Sequence, residues 1–202
     1  MEDSFILKKK DSRPAKGIKA SLKKNILIGV VGMAGAVLLA ALGWYLYFES
    51  QFTVYRDSQY QFSIKYPKTW KVVTAPKPSV AVAFLRPKDT VLDTVTENFT
   101  VVVQPLSVQD HVLAVFNANV KNQMLAVFGK HIIIARDQPM HWGWRQGHEM
   151  VFKAPVPDHL VMVNAWTLRI DHAYIMTYFG DLNKFSKDSL IVDEMIRSFR
   201  LQ

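Results

Sequence analysis

The pattern of hydrophobic and polar positions begins with one long apolar stretch. From Ile26 to Phe48 the chain has 23 consecutive residues without a charge. A helix of that length spans about 35 Å, slightly more than the roughly 30 Å hydrocarbon core of a bilayer. Trp44, Tyr45 and Tyr47 stand at its far end, where amphipathic rings favour the headgroup layer. The pattern therefore predicts a single transmembrane helix over residues 26–48.

After this stretch the pattern changes to short alternating and β-branched runs, which are typical of strands. In the segment Gln61–Tyr66, Phe62 and Ile64 alternate with polar residues, as in a half-buried antiparallel strand. The segment Arg86–Asn98 is polar and is predicted to be an exposed loop. Further strands are predicted at Phe52–Tyr55, Trp70–Val73, Val80–Leu85, Phe99–Val103, His131–Arg136, Trp144–Phe152, Leu160–Arg169 and Tyr174–Phe179.

Near-helical spacing of apolar residues occurs twice in the same region. Ser107 is a candidate N-cap and Gly129 a candidate stop for one helix, and Asn183–Ser198 predicts another. Antiparallel strands with helices on their faces indicate an α+β domain over residues 49–202. The positions expected to face its core are Val108, Val112, Val115, Val120, Met124 and Val127 in the first helix, and Leu190, Ile191, Glu194 and Met195 in the second.

Positive charge is concentrated before the apolar stretch. The formal net charge is +8, and residues 1–24 carry eight Lys and Arg against three acidic residues. By the positive-inside rule, we expect the chain to cross a bacterial inner membrane with the basic arm (residues 1–25) in the cytoplasm and the domain in the periplasm. We expect the arm to bind anionic membrane lipids. Because the domain carries little of the excess charge, no nucleic-acid partner is expected.

A cleaved signal peptide is the alternative to a retained anchor, because residues 41–43 (Ala-Leu-Gly) resemble a cleavage site. The basic region and the apolar run are both longer than in an ordinary signal peptide. The aromatic cluster at the end of the run also favours an anchor that stays in the membrane.

Small residues form a stripe within the predicted span. Gly29, Gly32, Gly35 and Ala36 would let a second helix approach closely, which makes them candidates for packing inside the membrane. The alternative is that Gly and Ala are simply common in membrane helices.

Four sequence blocks carry a resemblance to a known family. They are Phe62–Val72, Val82–Pro87, Glu97–Leu106 and Asp193–Arg200, and they bracket nearly the whole domain. In order and spacing they resemble the PsbP-like family, which includes the extrinsic lumenal subunit of photosystem II and bacterial relatives. The resemblance implies an α-β-α sandwich around a central antiparallel sheet, and a role in binding or docking in place of catalysis. The membrane anchor departs from the photosystem subunit, which is soluble.

The sequence offers little catalytic chemistry. The absence of cysteine excludes disulfides, thiolate metal sites and a cysteine nucleophile, and there is no HExxH, GxSxG, P-loop or GxGxxG motif. Asp89, Asp93 and Glu97 share one polar loop with no evident charge partner. We therefore predict no enzyme, no catalytic residue and no cofactor, and leave open a metal site assembled from distant histidines. The histidines are His111, His131, His141, His148, His159 and His172.

One segment has the composition of a protein–protein interface. Residues 139–145 place Trp142, Trp144, Arg145 and His141 around Gly143, and Trp, Met and Arg are enriched at interfaces. On an extended segment Trp142 and Trp144 would share a face, which is either a docking surface or part of the core.

The leading hypothesis is a non-enzymatic, membrane-anchored accessory subunit or assembly factor of a bacterial envelope complex, with an integral membrane protein complex as its partner. The complex would be photosynthetic, respiratory or secretory. The alternatives are a periplasmic binding or chaperone module for an apolar ligand or substrate segment, and a metal-dependent activity.

Overall fold

The structure is a computed structural model that describes residues 16–77, 79–89, 95–129, 132–154 and 159–202, with the backbone alone for residues 16–32. The chain divides between Ser50 and Gln51 into two compact units.

The N-terminal unit contains helix α1, Lys16–Ser50. It begins before the charge-free stretch, so Lys19 and Lys23 lie within the helix. Its window Met33–Ser50 is apolar enough to cross a membrane by length and composition, and none of that window is buried. It is the one such helix in the part of the chain that the structure describes.

The second unit forms ten strands and two helices over its described residues. Strand β6 continues well beyond its predicted end at Arg136, and β10 is a strand that the sequence pattern did not predict. The elements are β1 Phe52–Asp57, β2 Phe62–Pro67, β3 Lys71–Lys77, β4 Val80–Leu85, β5 Asn98–Pro105, α2 Leu113–Phe128, β6 Ile133–Trp142, β7 Arg145–Ala154, β8 Leu160–Arg169, β9 His172–Asp181, α3 Phe185–Ser198 and β10 Arg200–Leu201.

Seven of the strands form one antiparallel sheet in the order β3-β4-β5-β9-β8-β7-β6. Its central pairing is β5 with β9, which runs from Asn98 opposite Phe179 to Pro105 opposite His172. This pairing joins strands that are distant in sequence, whereas every other pair of neighbouring strands in the sheet is consecutive in the chain. The strands β1, β2 and β10 form a smaller antiparallel sheet.

Helix α2 covers one face of the seven-stranded sheet. Its buried residue, Phe116, packs edge-on against Trp166 with ring centroids 6.2 Å apart. Leu113, Val120 and Met124 surround this contact. These four positions recur every three or four residues and define the inner side of the helix.

Two predictions about this helix were wrong. It begins at Leu113, because Ser107 donates its hydroxyl to the carboxylate of Asp110 at 2.6 Å in a preceding turn and does not cap the helix. Val115 and Val127 point outward, as do Val108 and Val112 ahead of the helix. Apolar residues occur on every side of the helix, among five polar ones, so the valines gave no reliable indication of the inner side.

Helix α3 and the smaller sheet cover the opposite face. Val192, Met195 and Ile196 are buried, whereas Leu190, predicted to face the core, is 63% exposed. In the same layer Phe62 lies against Tyr174 and Phe199, with ring centroids 6.4 and 5.5 Å away. The fold is therefore α+β, with the antiparallel sheet held between α2 and α3, as predicted.

A cluster of buried charges ties α3 to the sheet. Glu97 and Asp188 are 0% and 2% exposed. The Arg86 guanidinium lies 3.7 Å from a carboxylate oxygen of Glu97 and 3.2 Å from one of Asp188. Tyr178 donates its hydroxyl to Asp188 at 2.9 Å, and burial, with the negative charge of Asp188, raises the tyrosine pKa. Glu97 was predicted to lie in an exposed loop without a charge partner. This was wrong, because Arg86, at the start of the same segment, and Lys184, next to α3, lie 3.7 and 3.8 Å from its carboxylate.

We expect Arg86→Met to lower the free energy of unfolding of residues 51–202 by roughly 3–5 kcal/mol, because it removes the guanidinium beside the buried Asp188 carboxylate and leaves Glu97 with Lys184 alone, 3.8 Å away. Arg56→Met, at an exposed position of β1, should change it by less than about 0.5 kcal/mol. Adding Glu97→Gln to Arg86→Met should recover part of the loss. Urea denaturation measures all three, and a loss below about 1 kcal/mol for Arg86→Met would contradict the account.

Candidate functional site

The predicted docking segment lies where β6 turns into β7. Trp142 pairs with Arg145 across a two-residue turn formed by Gly143 and Trp144. Gly143 has a φ of 63°, which the first position of a tight hairpin turn requires and which glycine adopts without strain. Because the turn interrupts the alternation, Trp142 and Trp144 do not share a face, and that prediction was wrong.

Trp142 belongs to the core. Its indole N–H donates to the main-chain carbonyl of Ile196 at 2.6 Å, and its ring meets Phe199 edge-on. Gly147 makes this position possible, because a Cβ there would collide with the Trp142 ring and with the carbonyl of Trp166. Trp142 therefore locks the β6–β7 hairpin onto α3 and offers no surface to a partner.

Trp144, in contrast, is 82% exposed. The Arg145 guanidinium carbon lies 4.2 Å from the centre of its ring, a cation–π arrangement that holds the indole on the surface. His141 is exposed as well and pairs with Gln146 across the hairpin. The docking surface proposed from sequence is thus limited to Trp144, Arg145 and His141.

The outer side of α2 is a second exposed surface, and sequence reasoning missed it. Six exposed positions recur along it at helical spacing, opposite Phe116, and none is charged. We call this surface the α2 outer face; its residues are Ala114, Val115, Ala118, Asn122, Leu125 and Ala126. The signal that could have revealed it is compositional, since Lys121 is the one charged residue in α2.

Polar contacts fix which side of α2 faces outward. Asn117 accepts a hydrogen bond from the Trp166 indole N–H at 2.7 Å, and its amide nitrogen lies 3.1 Å from His148 Nδ1. The other ring nitrogen of His148 lies 2.6 Å from Asp137, which also binds the Lys121 ammonium at 3.0 Å. The hydrogen bonds from His148 and Lys121 lower the Asp137 pKa, and the one from His148 has the larger effect. This chain of contacts holds the helix in one rotation.

The histidines do not converge on a metal site in the described part of the chain, where no group of three His, Asp or Glu side chains is arranged to hold an ion. His148 and Glu149 point to opposite faces of β7: His148 toward α2, and Glu149 into bonds from Arg136 and Gln138. His172 Nδ1 lies 2.6 Å from the adjacent Asp171. His131 lies outside the described residues.

The small-residue stripe is described in part. Gly35 and Ala36 lie in α1, and a Cβ added to Gly35 would meet no atom within 4 Å. Gly29 and Gly32 also lie in α1, in the part described by backbone alone. Packing of this stripe against a partner helix stays a prediction.

No protein-family profile and no curated protein sequence matches the chain. Similar solved structures include cyanobacterial PsbP (CyanoP) from Synechocystis sp. PCC 6803, with a TM-score of 0.58 and 13% identity over 75% of this chain and 93% of that one. The fold is PsbP-like. This PsbP-like fold also occurs in the Ran-binding protein Mog1p of Saccharomyces cerevisiae, with a TM-score of 0.52 and 8% identity over 74% of this chain and 95% of that one. LpqN of Mycobacterium tuberculosis, involved in cell envelope biogenesis, has a TM-score of 0.53 and 6% identity over 75% and 91%.

The two neighbouring tryptophans of the hairpin make a matched test of this geometry. We expect Trp142→Ala to lower the free energy of unfolding by about 3–5 kcal/mol, because it empties a packed site and removes a buried hydrogen bond. Trp144→Ala should change it by less than about 0.5 kcal/mol. Equal losses for the two variants in urea denaturation would contradict the observed turn.

Proposed function

We propose that the protein is a non-catalytic, membrane-anchored accessory subunit of a bacterial envelope complex. Helix α1 anchors it in the inner membrane, and residues 49–202 stand in the periplasm and dock on an integral membrane partner. The α2 outer face is the observation that carries this proposal, because it is an exposed surface that a partner would bury.

An exposed helix normally carries charged residues on its solvent side. Here that side presents Ala114, Ala118 and Ala126 with the branched side chains of Val115 and Leu125. Small residues let another backbone approach closely, and the branched ones supply apolar area. Exposed surface of this kind, apolar apart from Asn122, marks interaction sites in soluble domains.

The anchor adds to such docking. A membrane span confines the domain near any partner in the same bilayer and so raises the effective concentration of the interface. A weak interface on α2 is then sufficient for stable association. Trp144 with Arg145 supplies a second contact of the composition found at binding hot spots.

The comparisons support the proposal at the level of fold. PsbP-like folds occur in a protein described as Ran-binding and in one described as involved in cell envelope biogenesis. Neither description is that of an enzyme. The nature of the complex, whether photosynthetic, respiratory or secretory, would follow from the identity of the partner.

Site-specific photocrosslinking in intact cells tests the proposal. A photoreactive amino acid placed at Ala118 or Leu125 should yield an adduct with the same integral membrane protein. Leu190 is the matched control, since it is exposed and lies on α3. An adduct from position 144 with that same protein would show that the hairpin takes part.

Substitution gives the quantitative readout. Leu125→Glu should weaken association with the crosslinked protein at least about tenfold, equivalent to about 1.4 kcal/mol, because it places a charge in an apolar contact. Leu190→Glu should have no effect. If positions 118 and 125 give no more adduct than position 190, the proposed interface is wrong.

The anchor and its orientation are tested separately. We expect the mature protein to retain residues 1–25 and to resist carbonate extraction, and a reporter active only in the periplasm should work when fused after Gln202. A mature N-terminus near Trp44, seen by mass spectrometry, would show that α1 is a cleaved signal. Activity of a cytoplasm-only reporter at that position would reverse the orientation.

A further inference from the structure

A cavity lies between α2 and the seven-stranded sheet. Its volume is about 350 Å³, within the range of small-molecule sites. The strands β5, β8 and β9 form its floor, and α2 forms its roof. Phe116, Val120, Met124, Met162 and Ile175 provide most of the apolar lining.

The floor carries a buried amide whose oxygen lacks a partner. Asn164 is 3% exposed, and its side-chain oxygen accepts no hydrogen bond. Its amide nitrogen makes one long contact, 3.4 Å, with the sulfur of Met162. Since a buried polar group without a partner costs roughly 1–3 kcal/mol, the Asn164 oxygen lowers the stability of the domain.

The groups beside this amide are also neutral and polar. Thr177 is the cross-strand neighbour of Asn164, and Gln104 lines the same floor. The one carboxylate in the lining, Asp110, accepts hydrogen bonds from Ser107 at 2.6 Å and Asn119 at 2.7 Å. These bonds from uncharged donors lower the Asp110 pKa, so its charge is negative and disfavours an anionic ligand, and no cation among the described residues lines the cavity.

We propose that this cavity is a binding site for a neutral, flat molecule with an apolar body and an amide-type edge. The Asn164 side chain carries an acceptor and a donor side by side, and once it turns toward the cavity a primary amide or lactam presents the complementary pair. The phenylalanine and methionine walls enclose the apolar body, and methionine adapts to its shape. This function goes beyond docking and uses the inner side of α2, whereas docking uses its outer face.

Benzamide is a suitable probe, tested against the full-length protein in detergent by saturation-transfer NMR. We expect binding with a Kd on the order of 1 mM, as for other ligands of that size. Benzoate should bind at least about tenfold more weakly, because a charge would enter a cavity with no counter-charge. Toluene reports on the apolar walls alone.

Asn164→Leu is the decisive variant. It should weaken benzamide binding at least about tenfold, leave toluene binding within about threefold, and raise the melting temperature by a few degrees, because an unpartnered amide is replaced by an apolar group of similar size. A structural role for Asn164 predicts the opposite change in melting temperature. Unchanged benzamide binding to Asn164→Leu would overturn the proposal.

Val120→Phe, which fills the cavity from the roof, keeps the test interpretable if Asn164→Leu does not fold. It should abolish binding of both benzamide and toluene while leaving association through Leu125 intact. Binding of benzamide that survives Val120→Phe would place the probe elsewhere and overturn the proposal. If the protein binds benzamide in the cavity but does not associate with a partner through Leu125, the docking function alone is contradicted.

Discussion

Burial of both faces of the seven-stranded sheet is the constraint on which the rest of the domain depends. In β8, Ala165 and Trp166 are each 0% exposed although successive side chains point to opposite faces. A sheet that is apolar on both sides must be covered twice, and α2 and α3 with the smaller sheet provide the two layers. Close packing follows from this, as at Gly147, where no side chain larger than hydrogen fits between Trp142 and Trp166.

Apolar residues occur on every side of helix α2, interspersed with uncharged polar residues and Lys121. Apolar contacts with Phe116 alone would not distinguish one rotation of such a helix from another. The polar contacts of Asn117 with Trp166 and His148 do so, because each would be lost if the helix turned. The result is a firmly oriented helix whose uncharged outer side remains available for a partner.

The buried polar groups of the domain fall into two kinds. Arg86 lies beside Asp188 and Glu97, so each buried carboxylate has a counter-charge close by, and the cluster serves the packing of α3 on the sheet. Neither the Glu97 oxygens nor the Asn164 side-chain oxygen accepts a hydrogen bond, but Glu97 has the cations of Arg86 and Lys184 within 4 Å, whereas Asn164 has no such compensation. The first arrangement stabilises a fold once it is made, whereas the second is stabilised only when something else supplies the missing partner. This difference separates a structural cluster from a binding site.

The sequence by itself determined the apolar helix, the positions of most strands, the presence of α2 and α3 and the α+β class, because these depend on local periodicity. It did not determine which side of α2 faces the core, since a helix with apolar residues on every side has no distinctive apolar stripe. The burial of Glu97 beside Lys184, the residue before α3, and the cavity formed where α2 crosses β8 beside Asn164 are both contacts between distant parts of the chain. Even the separation of Trp142 from Trp144 required the turn at Gly143. The local sequence pattern indicates which secondary structure a segment favours. Tertiary packing alone decides which groups each side chain contacts.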